Sequence, residues 1–302
     1  MEGGTAMGVR SAGELSADEF GQLVGRLSLD SRGNALVLAD LLALPELCDV
    51  HLLRDGRSWT AAASRRDLPF NALTFSAGGE EEYRALVQSF AGRFGAGDVV
   101  YSLIPEPQTS TLARVVEVES TAREIQLFKH LSADLRPPGE LESLTAQGFS
   151  FRALGQADLA NVRGIMKAAG MFAFADASLF RGTYWGAFEG RRLVCTAGTH
   201  SLARHAAEIG NVVTLPAYRR RGLARACLSL LLRDLSQHTR SAFLSFFAEI
   251  GFLHRLYASL GFREPRPFDL VAWRYPGTAE ESKSRGVGNG NRGTACTTDE
   301  LR

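Results

Sequence analysis

Arg219, Arg220, Arg221 and Gly222 form the stretch of this sequence whose residue types say most about chemistry. They separate an apolar segment, IGNVVTLP, from a leucine-rich one, LARACLSLLLRDL. Pro216 ends the first as a strand, because it has no N–H to give to a ladder. The second reads as a long helix starting at Gly222, Leu223 and Ala224. Three cations at a helix N-terminus run against the macrodipole, whose positive end favours anions. The free N–H groups of the first turn also need acceptors. A polyanion resting there answers both demands. A diphosphate would accept from the N–H groups and be neutralised by guanidinium. Gly222 has no Cβ where such a group approaches the backbone, and Ala224 has little more. The helix is apolar nearly all round, through Leu223, Cys227, Leu228, Leu230, Leu231, Leu232 and Leu235. It is expected against a sheet, with its N-terminus held fixed. The competing reading is an arginine-rich turn facing solvent before a core helix.

Other anion cradles fit less well. A P-loop needs GxxxxGK[ST], and that lysine is absent. A dinucleotide fold needs GxGxxG and an acidic residue about 20 positions on, and neither is found. The net charge is +1, so no global field draws the chain to nucleic acid or a membrane surface. Cys48, Cys195, Cys227 and Cys296 are far apart, which excludes CxxC metal spacing and fits a reducing compartment. No metal site is expected. The N-terminus has no secretory pattern, and no apolar run approaches a membrane span, so a cytoplasmic location is expected.

The elements that must position this segment fall in two blocks. Residues 1–11 are Gly-rich and expected to be flexible. The tail, 277–302, is polar and nearly free of large apolar residues, so it is expected to be disordered. The first block, 12–145, opens with helices ADEFGQLVGRL and NALVLADLLAL. A hairpin follows, with its turn at Asp55-Gly56. Next come strand LTFSAG, an amphipathic helix carrying Tyr83, Leu86, Val87, Phe90 and Phe94, strand VVYSLI, and two strands, RVVEVES and EIQLFKHL. Pro137-Pro138-Gly139 marks the linker. The second block, 149–275, reads strand, helix, three meandering strands, the leucine-rich helix, strand AFLSFF, helix FLHRLYASLG and a final strand region. That order predicts an α/β (α+β) fold: a mixed sheet flanked by helices. The first block repeats enough of this order to suggest a diverged second copy, against the alternative of an unrelated α+β domain.

VVTLPAYRRRGLA resembles the acetyl-CoA-binding motif of the GNAT acetyltransferase superfamily. The match is a strand, a Pro-type turn and [QR]-x-x-G-x-[GA], here Arg219-x-x-Gly222-x-Ala224. RLYASLGF (255–262) is similar to the family's second hallmark, a helix with a tyrosine followed by Leu-Gly-Phe. The resemblance covers about 149–275. It implies an acetyl-CoA-dependent N-acetyltransferase with a GNAT-type sheet. It also implies that backbone groups of Val212, Val213 and Thr214 pair with the pantetheine arm. The N–H groups from Arg220 through Arg221, Gly222, Leu223 and Ala224 to Arg225 would hold the pyrophosphate. The thioester would lie where the motif strand and its neighbour splay apart, and Tyr257 would protonate the departing thiolate. The competing role for Tyr257 is a packed aromatic. The family often has Asn near the start of the last helix; Ile250 stands there instead.

Acetyl transfer to an amine needs a neutral amine and a polarised thioester, and the N–H near Val213 is a candidate donor. The candidate bases are Glu208, on the motif strand, His200, and Glu249; Glu208 and Thr214 are expected to share strand parity with Val212. Each competes with a role as a solvated or paired side chain. His205 is expected to be exposed. The first block would flank an acceptor cleft, with Trp59, Phe70 and Phe75 either lining it or packing the core. Acetyl-CoA is the expected cosubstrate, and a small-molecule or peptide amine the expected acceptor, with no nucleic acid and no membrane. The alternative is a non-catalytic acyl-CoA-binding regulator.

Overall fold

The computed structural model describes residues 8–56, 58–132, 139–171 and 173–277. The expected flexible residues 1–7, the prolines of the linker and nearly all of the expected disordered tail lie outside them.

In chain order the elements are β1 (Arg10–Ser11), α1 (Ala17–Leu27), α2 (Ala35–Ala43), β2 (Cys48–Asp55), β3 (Ser58–Arg65), β4 (Asn71–Ala72), β5 (Thr74–Phe75), α3 (Glu80–Ser89), β6 (Val99–Pro105), α4 (Glu106–Leu112), β7 (Glu117–His130), α5 (Leu141–Ala146), β8 (Phe149–Ala153), α6 (Leu159–Ala168), α7 (Asp176–Arg181), β9 (Tyr184–Glu189), β10 (Arg192–Leu202), β11 (Ala207–Thr214), α8 (Leu223–Leu235), β12 (Ser241–Phe247), α9 (Gly251–Ser259) and β13 (Arg263–Arg274). The two strands expected around 115–131 are one strand, β7, because nothing in Ser-Thr-Ala-Arg breaks an extended run. Three short helices, α4, α5 and α7, were not legible; each is too short to show an apolar period. Arg10 and Ser11 pair with β2 instead of belonging to a loose end.

Two compact units emerge, and they do not follow the composition boundary near Pro137. Among the described residues, the first takes those from 8 to 66, 70–123 and 267–277; the second takes 67–69 and those from 124 to 266. In the first, β2 and β3 form the expected hairpin, turning at Gly56 with φ 55°. Helices α1 and α2 cover one face through Leu23, Leu27, Val37 and Leu38, with Trp59 in the same core. Ser16 and Glu19 cap α1 reciprocally. Helix α3 packs Tyr83, Leu86 and Val87 into another core, which also holds Val271, Trp273 and Tyr275.

In the second unit the strand order is β7-β12-β11-β10-β9-β8. Residues 124–130 of β7 pair antiparallel with β12. Strands β11 and β12 are parallel neighbours, and the rest form an antiparallel meander. Helix α8 packs Leu223, Leu228, Leu231 and Leu235 on one face, joined by α9 through Tyr257. Helix α6 covers the other with Val162, Ile165 and Met166. Helix α9 ends in a Schellman turn. Gly261 has φ 86°, and the amides of Phe262 and Gly261 donate to the carbonyls of Tyr257 and Ala258.

Candidate functional site

Strand β11 pairs with β12 only at Ala207↔Ala242 and Glu208↔Phe243. Beyond Glu208 the two strands part, and the β12-facing edge of β11 is left open, as the sequence resemblance implies. On its other side β11 stays paired with β10 to Thr214, where Thr214 meets Cys195. The Leu215 amide donates to the Val194 carbonyl at 3.0 Å. The alternation this sets turns the Val213 amide toward β10 and that of Thr214 toward the gap. The amide that faces the gap is therefore that of Thr214, one pleat away from Val213, the expected donor.

A β-bulge interrupts β11, with Asn211 at φ 54°. It places two residues opposite one on β10 and reverses the facing of everything after it. Val212 packs with the α8 core, and Thr214 Oγ lies 3.1 Å from Cys195 Sγ in that core. Val213 packs with the α6 core. Glu208, before the bulge, faces the α6 side and accepts from Ser201 Oγ at 3.3 Å. The expected shared parity of Glu208, Val212 and Thr214 is thus wrong. Strict period-two counting cannot see an inserted residue.

After Thr214, a 3-10 turn at Pro216–Tyr218 leads to the arginines. Arg220 has φ 65° and Gly222 φ 88°, so two left-handed residues bracket Arg221. Such turns gather successive N–H groups into an anion-binding concavity. Gly222 is the N-cap of α8 and supplies no side-chain acceptor. The first intrahelical bond runs from the Ala226 amide to the Gly222 carbonyl, leaving the amides of Leu223, Ala224 and Arg225 without helical partners. A Cβ on Gly222 would meet nothing within 4 Å. The cradle is open, and its glycine is required by φ as well as by approach. These features fit a diphosphate.

The guanidiniums do not act alike. Arg219 Nε donates to the Thr214 carbonyl at 3.2 Å, tying the turn to the end of β11. Arg221 lies 5.5 Å over the ring of Tyr218 and 5.9 Å over that of Phe149. Tyr218 in turn donates to Glu189 at 2.5 Å. These aromatic contacts fix the turn, and the sequence carries no signal for them, because Phe149 and Glu189 are remote in the chain. Arg225 pairs with Glu140 at 3.3 Å, so its amide, not its charge, faces the cradle.

Tyr257 sits in the α8 core, its ring 5.4 Å from Phe246 and 6.1 Å from Phe262. Burial pushes its phenol well above the ordinary range, which keeps it protonated. Its hydroxyl has no hydrogen-bond partner among the described residues. Ile250 is the N-cap of α9 and offers no side-chain cap.

Of the other candidate bases, Glu249 is exposed in the turn after β12. His200 Nδ1 lies 3.5 Å from Asn211 Nδ2, beside the bulge. His205 is half-buried, against expectation, and burial lowers its pKa. Trp59 and Phe75 are core residues, and Phe70 stands edge-on to Tyr101, so packing is their role in the first unit. No helix among the described residues is long and apolar enough to cross a membrane.

Residues 164–262 match the acetyltransferase (GNAT) family. No curated protein matches the chain in sequence. Solved structures share its fold. A GNAT-family protein from Novosphingobium aromaticivorans, described as a putative acetyltransferase, has TM-score 0.53 and 22% identity, covering 71% of this chain and 88% of its own. A GCN5-related N-acetyltransferase from Sphaerobacter thermophilus has TM-score 0.57 and 19% identity, covering 89% and 96%. A tandem GNAT protein from the clavulanic acid biosynthesis pathway has TM-score 0.54 and 14% identity, covering 88% and 97%. The last two likenesses extend over most of the chain.

Proposed function

We propose that the chain transfers an acetyl group from acetyl-CoA to an amine by direct attack, in keeping with the match of residues 164–262 to the acetyltransferase (GNAT) family. One observation carries this reading. The open edge of β11 runs directly into a concavity of amides at the start of α8. An extended arm ending in a diphosphate matches that sequence of donors: strand addition along Val212–Thr214, then N–H groups from Arg220 to Arg225. The Thr214 amide, facing the gap, polarises the thioester carbonyl. The amine nitrogen bonds to the carbonyl carbon as the carbon–sulfur bond breaks. Tyr257, held protonated by burial, supplies the proton to the departing sulfur, and the proton that the nitrogen sheds as it becomes an amide restores the phenol.

Calorimetry with acetyl-CoA and a CoA-release assay over a panel of amines test this reading. Binding with amine-dependent release is expected. No binding would end it, and binding without release on any amine would favour a regulator that senses acyl-CoA.

A further inference from the structure

The α6-facing side of the second unit's sheet is unusually polar for a buried surface. Gln126 is fully buried, with Nε2 3.5 Å from Ser245 Oγ and Oε1 unpartnered. Asn211 donates to the Tyr184 hydroxyl at 2.8 Å, and its Oδ1 is unpartnered. Thr196, opposite Val213, is fully buried with an unpartnered hydroxyl. Buried polar atoms without partners are rare, and each asks for a ligand or water.

Glu124 completes this set. It is two residues before Gln126 on β7, hence on the same face, and lies opposite Phe247 on β12. It is 8% exposed and has no hydrogen bond or ion pair among the described residues. Its height in the sheet matters most. Glu208 stands opposite Phe243, where β11 and β12 are still paired. Glu124 stands at the far end of β12, where they have parted. The carboxylate level with the gap is Glu124, and Glu208 lies at its closed foot.

We propose that Glu124 is the base that deprotonates the acceptor, which arrives as an ammonium ion. The inference rests on the transferase reading above. The ammonium gives one proton to the Glu124 carboxylate, and Gln126 Oε1 accepts from a remaining N–H. The neutral amine then forms the carbon–nitrogen bond, CoA leaves as the thiol, and Glu124 returns its proton to water. The acceptor class is an amine cationic at its reacting end. Burial first, then the charge of Glu208, pushes the Glu124 carboxyl up to about 7. No other charge acts on it among the described residues; β12 offers Phe247 and Ser245, and β7 offers Gln126.

Glu124→Gln should lower kcat by about 100-fold or more, leave acetyl-CoA affinity unchanged and remove an acidic limb near pH 7 from the rate profile. Glu208→Gln should move that limb to lower pH. Wild-type kcat with the limb intact in Glu124→Gln would overturn the assignment. If that variant does not fold, Glu124→Asp must lower kcat without weakening acetyl-CoA, and an unchanged kcat overturns it equally. If no amine is turned over, the wild-type carboxylate can still be followed by NMR. A Glu124 midpoint near 7 supports the assignment, and one in the ordinary carboxylate range sinks it. Failure of acetyl-CoA to bind the wild type, by contrast, removes the transferase reading itself.

Discussion

At the residue scale, Gly222 and Tyr257 make demands that can be separated by experiment. A side chain on Gly222 meets no neighbour, so a substitution costs the fold the strain of φ 88° and little else. Gly222→Asp adds to that a negative charge in the amide concavity. Acetyl-CoA affinity should fall at least about 100-fold, or ~3 kcal/mol, by calorimetry. Gly222→Ala should lose much less. Tyr257→Phe keeps the packing against Phe246 and Phe262 and deletes only the proton. Turnover should drop by about 100-fold with acetyl-CoA affinity retained; equal turnover would leave Tyr257 a core residue. Glu124 carries a stability signature as well. Its folded-state pKa is raised, so the fold binds more protons than the unfolded chain between the ordinary carboxylate range and about 7. The wild type should lose stability as pH rises through that window and level off above it. Thermal melts of Glu124→Gln should therefore gain on wild type from pH 5 to pH 8. A constant difference would mean that the Glu124 carboxyl titrates in the fold as it does in the unfolded chain.

At the element scale, the bulge in β11 and the short pairing with β12 make the site. The bulge lets one strand serve the α6 face with Glu208 and Val213 and the α8 face with Val212 and Thr214. Gly210 is part of this device, because a Cβ there would run into the His200 ring. Gly210→Ala should cost about 1–3 kcal/mol in chemical denaturation and disturb the gap. A neutral result would mean His200 moves freely aside. The arginine-rich turn was legible because three like charges at a helix start contradict the dipole. The bulge was not legible, since Asn211 in an apolar run looks like any outward strand residue. Glu124 was hidden for a similar reason: EIQLFKHL reads as a strand, but not as the neighbour of β12.

At the scale of the whole molecule, the chain does not divide where its composition shifts. Leu127 of β7 belongs to the α8 core, while Val271, Trp273 and Tyr275 belong to the core of α3. Trp273 Nε1 donates to Ser102 Oγ at 2.9 Å, and the Tyr275 hydroxyl donates to the Val87 carbonyl at 2.8 Å. A fragment of residues 149–275 lacks residues 124–130 and bares the β12 edge that they cover. Such an edge invites association. The fragment should aggregate or melt without a cooperative transition in circular dichroism. A monomeric fragment with a sharp melt would show that β7 is dispensable.

The amino-acid sequence alone determined the local features: the helix periods, the Asp55-Gly56 hairpin, the glycine stop at Gly261 and the anion-seeking start of α8. Each depends on residues within a few turns of one another, where propensity, charge and turn chemistry act directly. Tertiary structure alone decided which strands lie side by side, where β11 reverses its facing, and which carboxylate stands level with the gap. Those outcomes depend on pairings across more than a hundred residues, such as Gln126 with Ser245. Their stabilisation comes from burying both partners together, and no local pattern records it.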